Sequence, residues 1–258
     1  MTTITKNAWP TFDPPESSIT LNEINAFHGI YHQNRMACDG YTIIPSLIPN
    51  YIFDELNRSF DALNQANIQP VGIVTHPLFW ELTKALDHIV KLFLKESYII
   101  LPETWAWDIP QTKDSKGWAA HREKLFSTVN SDNMPRSLSI WIPITPATPE
   151  NSCMYVLPAC DDPNYPTGPT KYELPVQSIR ALPANPGDVI VFNHNILHWG
   201  SQSSQWAANP RRALAYECQI ASEKPYNTPT FNPKVPPSYE AQIELYHQLI
   251  QQYNHINY

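Results

Sequence analysis

Apolar periodicity changes once along this chain, near residue 96, and that change restricts the architectures open to it. Before it, apolar residues recur at helical spacing. Residues 18–34 read as a helix, with Thr20 as N-cap, Glu23 three positions on, and Ile24, Phe27, His28 and Tyr31 following. Asp39-Gly40 is a turn signal leading into a short strand, 41–44, closed by Pro45. A second helix is predicted over 50–67 (Ile52, Leu56, Phe60, Leu63) and a third over 77–94 (Leu78, Leu82, Leu86, Ile89, Val90, Leu92). After residue 96 come short β-type runs at 98–101, 104–109, 137–144, 154–157, 188–192 and 213–220, then a closing helix at 238–253. The stretch 160–186, rich in Pro, Asp, Thr and Asn, reads as an ordered, exposed loop. There is no internal repeat. Helices first and strands afterwards predict one α+β domain over 1–258: a helical part at about 18–95, a β core at about 97–221, and a C-terminal helix. The 26 prolines against 7 glycines agree, because proline stops helices, avoids sheet interiors and stiffens loops.

Several function classes are disfavoured. Charged residues make up 16% and the net charge is -7, so no clustered Lys and Arg invites nucleic acid or an anionic membrane. No run of about 18 apolar residues exists; the nearest, 89–101, is broken by Lys91, Lys95 and Glu96. The N-terminus does not read as a signal peptide, and Cys38, Cys153, Cys160 and Cys218 form no C-x-x-C pair. Buried free thiols in a reducing cytoplasm are the expectation. His88, His247 and His255 read as surface or packing residues.

His121-Arg122-Glu123 is the one place where a histidine is followed two residues later by a carboxylate. On a strand, i and i+2 share a face, so His121 and Glu123 would project together as two ligands of a 2-His-1-carboxylate triad. Downstream, Gly187-Asp188 turns into Val189-Ile190-Val191-Phe192, followed by His194 and His198. His198 is preferred as the third ligand; His194, between two asparagines, reads as a structural histidine. The next strand carries Arg211 and Arg212. A 2-oxo dicarboxylate chelating a metal would need a guanidinium for its far carboxylate. Arg211 shares its face with Ala213 and Ala215, which leaves room, and is favoured over Arg212, which shares its face with Leu214 and Tyr216.

In this order the motifs resemble the phytanoyl-CoA dioxygenase family of iron(II)- and 2-oxoglutarate-dependent oxygenases. The segments that carry the resemblance are 38–45, Trp118 to Glu123, 138–144 with 148–158, Pro186 to His198, and Arg211-Arg212-Ala213. Three departures stand out: Glu123 for the commoner aspartate, Ser152 where glycine is usual, and Ala159-Cys160-Asp161 in place of a Gly-Ser-His ending. The resemblance implies a double-stranded β-helix of jelly-roll type, with helices packed on one sheet. It implies iron(II), 2-oxoglutarate and O2, and hydroxylation of an unactivated C–H bond. The retained Glu123 argues against halogenation. Ser139 would help hold the co-substrate. Trp105, Trp107 and Trp118, with Arg122 beside them, would form the substrate wall. The expected substrate is a small metabolite, an amino acid, or a carrier- or peptide-bound natural-product intermediate. Two alternatives remain at this stage: a zinc or manganese hydrolase or isomerase on a cupin-like barrel, and a non-catalytic binding protein.

Overall fold

The computed structural model describes residues 9–15 and 17–253; His255 and the first eight residues lie outside them. Among the described residues, eight strands form two antiparallel sheets. The larger has the order β1-β6-β3-β8-β2, from β1 (Tyr41–Ile44), β6 (Val189–Asn193), β3 (Ser137–Pro143), β8 (Arg211–Ile220) and β2 (Tyr98–Ile109). The smaller has the order β5-β4-β7, from β5 (Arg180–Leu182), β4 (Met154–Leu157) and β7 (Leu197–Gly200). A cavity lies between them, lined from one side by Ser139, Trp141, Phe192 and Arg211 and from the other by Met154 and His198. This is the expected jelly-roll sandwich.

Helices cover the outer face of the larger sheet. Strand alternation explains how β8 serves both sides. Arg211, Ala215 and Glu217 line the cavity, whereas the Arg212 guanidinium and the Tyr216 ring engage the helical layer. The Tyr216 ring lies 6.2 Å, edge on, from that of Phe79 in α3 (Pro77–Ala85). The Arg212 guanidinium donates to Asp61 (2.6 Å) on α2 (Tyr51–Gln65) and to Asp108 (3.2 Å) on β2.

Several elements depart from the sequence reading. The first helix, α1, is Ala26–Asp39 rather than 18–34. Asn25, not Thr20, caps it by accepting the His28 N–H, and the preceding chain is tied to the 46–47 turn through Asn22. Its buried residues are Gly29, His32, Met36 and Asp39, while Phe27 and Tyr31 of the predicted stripe face outward. Gly40, at φ 79°, ends the helix by returning its N–H to Met36, a conformation glycine adopts without Cβ strain. The third predicted helix divides at Leu86 into α3 and α4 (Asp87–Leu94). Conversely, 98–101 and 104–109 are one strand, with a register shift between Ile100 and Thr104. Pro102 lies within that shift and has no N–H to offer a ladder. Strands β5 and β7 and a buried 3-10 turn, Pro70–Thr75, are additional elements. The 160–186 loop contains β5, so it is not wholly exposed loop. The closing helix is α5 (Tyr239–Tyr253).

The cysteine expectation needs correction. Cys153 and Cys218 are buried free thiols, but Cys38 and Cys160 are exposed. Their sulfurs approach each other and Asp39 within 4.8 Å, where the end of α1 meets the chain leaving β4.

Candidate metal centre

The segment 116–124 is not a named strand, yet it runs against β7 as one. His121 and His198 exchange both backbone N–H···O bonds at 3.0 Å, and Gly200 donates to the Trp118 carbonyl. The two backbones come so close at Gly117 and Gly200 that a Cβ on either would stand 2.6 or 2.5 Å from the other's Cα. Two glycines are what that approach admits. Ser152, one of the three departures from the family pattern, has φ 75°. Its hydroxyl accepts from Gly117 N and donates to Ser201 O, tying the segment to β7 and offsetting a strain of about 1–2 kcal/mol.

A hydrogen-bonded antiparallel pair presents its side chains on one face, and the His121 and His198 ring centroids lie 4.3 Å apart. Glu123, two residues on, joins them: its Oε1 is 3.6 Å from His121 Nε2 and 3.2 Å from His198 Nε2. One ligand atom from each residue falls within 4.8 Å of the others. Each imidazole has Nδ1 against a carbonyl oxygen, Ala119 for His121 (2.7 Å) and Ile196 for His198 (3.2 Å). An Nδ1–H donor leaves the Nε2 lone pair facing the centre of the group, the tautomer a metal needs. His121 Nε2 is buried and has no hydrogen-bond partner among the described residues. Burial opposes the charge on Glu123, but the two imidazoles outweigh it and hold its carboxyl well below the usual range. Burial, with His121 beside it, lowers His198, while the burial of His121 is outweighed by Glu123 and the Ala119 carbonyl, which raise it. Two imidazole Nε2 atoms and a carboxylate on one side of an open cavity suit iron(II) with positions to spare.

Arg211 and the three tryptophans line the same cavity. The Arg211 guanidinium carbon lies 5.5 Å from the Trp107 ring centroid and 5.8 Å from that of Trp141. Arg212 is excluded from the cavity by its outward ion pairs. Trp118 joins Trp105, Trp107, Tyr253 and His121 into an aromatic wall, with centroid separations of 5.0–5.7 Å. Ser139 also lines the cavity, with its hydroxyl buried and without a hydrogen-bond partner among the described residues. Its register partner on β8 is Glu217, six residues from Arg211. At about 3.4 Å per residue the Arg211 and Glu217 Cα positions are roughly 20 Å apart along the strand, which sets Ser139 toward the far end of the cavity from the Arg211 backbone.

Arg122 corrects the substrate-wall expectation. Alternation turns it away from His121 and Glu123, and its side chain is fully buried. It donates to Asp162 (2.7 Å) and to the Asn195 carbonyl (2.5 Å). Asp162 also accepts from Tyr172 and from the Asn164 N–H. Arg122 therefore anchors the back of the triad segment. His194 stays outside the triad; burial and nearby Lys124 push it down to about 3, so it is neutral. His88 and His247 are exposed.

A charge cluster at the other end of the cavity was not read from the sequence. Lys124 Nζ lies 3.1 Å from Glu217 and 3.7 Å from Glu103. Burial opposes the Lys124 charge, but Glu217, Glu103 and Glu123 outweigh it and raise its pKa. Burial raises Glu217, and Glu123 and Glu103 add to this against the pull of Lys124. The legible signal was an acid at an inward position of an otherwise apolar strand, in step with Trp105 and Trp107 on β2 and with Arg211 on β8.

Comparison with known proteins agrees with this architecture. Solved structures similar to this one include EctD from S. alaskensis with 2-oxoglutarate and 5-hydroxyectoine (TM-score 0.59, 15% identity, 84% of this chain and 87% of that one). HygX from Streptomyces hygroscopicus with nickel and 2-oxoglutarate gives 0.56 and 12%, covering 74% and 87%. The α-ketoglutarate-dependent epimerase SnoN from nogalamycin biosynthesis gives 0.55 and 13%, covering 76% and 82%. At such identities the likeness speaks for the fold. No curated protein matches the chain in sequence. The phytanoyl-CoA dioxygenase (PhyH) family model matches residues 36–213, from the last turns of α1 through the triad and into β8. The chain belongs to the phytanoyl-CoA dioxygenase family, whose members are iron- and 2-oxoglutarate-dependent enzymes.

Proposed function

We propose that this enzyme holds iron(II) on His121, Glu123 and His198, takes 2-oxoglutarate with its far carboxylate on Arg211, and hydroxylates an unactivated C–H bond. The substrate would be a small metabolite, an amino acid, or a carrier- or peptide-bound natural-product intermediate. The observation that carries the reading is the convergence of two Nε2 lone pairs and a carboxylate on a cavity that also contains a buried arginine. Iron, when bound, supplies the oxygen activation that no side chain can.

The chain's own groups do the rest. The Ala119 and Ile196 carbonyls hold the two imidazoles in the ligating tautomer. Arg211, set between Trp107 and Trp141, offers a planar fork to a carboxylate in a partly desolvated place, where charge-assisted bonds are strong. The aromatic wall excludes water from the reacting carbon. Keeping Glu123 as a ligand favours hydroxylation over halogenation. Among proteins of similar fold, SnoN is an epimerase and SnoK a carbocyclase, so product analysis must show a gained oxygen atom. Four free cysteines fit work in the reducing cytoplasm, and no described helix is long and apolar enough to cross a membrane.

The test is an anaerobic absorption titration with iron(II), then 2-oxoglutarate, on the parent chain and on Arg211→Ala. A weak visible charge-transfer band that saturates with 2-oxoglutarate is expected, and the variant should need at least about tenfold more of it. Iron binding without a band would refute the co-substrate reading, and no iron binding would refute the triad.

A further inference from the structure

The cavity is charged oppositely at its two ends. Arg211 stands at one end of the inward face of β8 and Glu217 six residues away, about 20 Å along the strand. Around Glu217 the groups are two carboxylates, Glu103 and Glu217, sharing one ammonium, Lys124. Glu103 Oε1 is already engaged by Asn227 (2.9 Å) and approached by Lys124. Its Oε2 has no hydrogen-bond partner among the described residues, although the side chain is nine-tenths buried and lines the cavity. A buried carboxylate oxygen without a donor is costly, and a hydrogen-bond donor carried in by a ligand would relieve it, a cationic one most strongly. Trp105, Trp118 and Tyr253 line the same cavity, giving a cation aromatic faces to lie against. Glu103, Lys124 and Glu217 also line the groove along 116–124 that opens this end to solvent, so a ligand has a way in.

We propose that Glu103 and Glu217 form the substrate's recognition site and take a protonated nitrogen: an ammonium, amidinium or guanidinium group. This rests on the oxygenase reading above and gives its substrate a chemical class. The two ends sort their ligands by charge. A dicarboxylate is drawn to Arg211 and repelled by Glu103 and Glu217, and a cationic substrate is sorted the opposite way.

Two probes of one shape and different charge test this by calorimetry on the metal-free full chain: benzamidine and benzamide. Benzamidine should bind at least about tenfold more tightly than benzamide, the margin of one charge-assisted bond. In Glu103→Gln that preference should fall to near unity while the melting temperature stays close to the parent's. Equal binding of amidine and amide, or no benzamidine binding up to about 10 mM, would overturn the proposal. So would a folded Glu103→Gln that keeps the full preference. Should that variant not fold, benzamidine soaked into crystals of the parent decides: density at Glu103 supports the site and density elsewhere only refutes it. The iron and 2-oxoglutarate titration is read separately. A charge-transfer band without amidine preference keeps the oxygenase and removes this site; amidine preference without a band does the reverse.

Discussion

Replacing Arg122 by methionine should unfold this protein early rather than alter its substrate affinity. Arg122 and Asp162 are both fully buried and 2.7 Å apart, and the guanidinium also holds the Asn195 carbonyl. Methionine keeps most of the apolar volume but leaves Asp162 charged, with the Tyr172 hydroxyl and the Asn164 N–H donating to its other oxygen. Breaking a buried pair from one side costs about 3–5 kcal/mol, because a charge stays behind without its counter-ion. For a chain of this size that lowers the melting temperature by roughly 6–20 °C. Adding Asp162→Leu removes the stranded charge, so the double variant should be more stable than Arg122→Met alone, with a coupling of at least about 1 kcal/mol. Denaturant and thermal melts of the four proteins give the cycle. Iron titration on the same samples shows whether His121 and Glu123, which flank Arg122, keep their places. An Arg122→Met protein within about 1 kcal/mol of the parent, or a coupling under about 0.5 kcal/mol, would refute the anchoring role. Unchanged stability with a raised KM would restore Arg122 to the substrate wall.

Two further predictions follow from burial. His76 is buried, its Nδ1 accepts the Leu78 N–H at the start of α3, and burial, against the pull of Glu55, pushes its pKa down to about 4. The folded pKa lies below the unfolded value near 6.5, so the unfolded chain binds the extra proton and stability falls as pH drops from about 6.5 to about 4, by up to about 3 kcal/mol. Denaturant melts across that range should show the slope, and His76→Asn, which keeps a cap acceptor, should flatten it; an unchanged slope would remove His76 from the account. In a thiol-reagent titration under native conditions, Cys38 and Cys160 should react and Cys153 and Cys218 only after unfolding. Fast reaction of all four in the native protein would contradict the burial.

Local chemistry decided much of this molecule before any folding. β-branched runs between prolines and turns made β1 and β4 legible residue for residue, and a strand's two-residue period separated Arg211 from Arg212. His121 and Glu123 could be paired because i and i+2 share a face whether or not the segment becomes a full strand. Tertiary structure decided what depends on neighbours far away in the chain. Phe27 and Tyr31 of α1 face outward although they share a helical stripe, because amphipathic spacing marks a stripe without saying which elements will cover it. Arg122 became an anchor only because the loop after β4 brings Asp162 against it, 40 residues on. The charge cluster of Glu103, Lys124 and Glu217 exists only where β2, the triad segment and β8 converge. The cost of burying a charge is settled by partners that the sequence holds apart and the fold brings together.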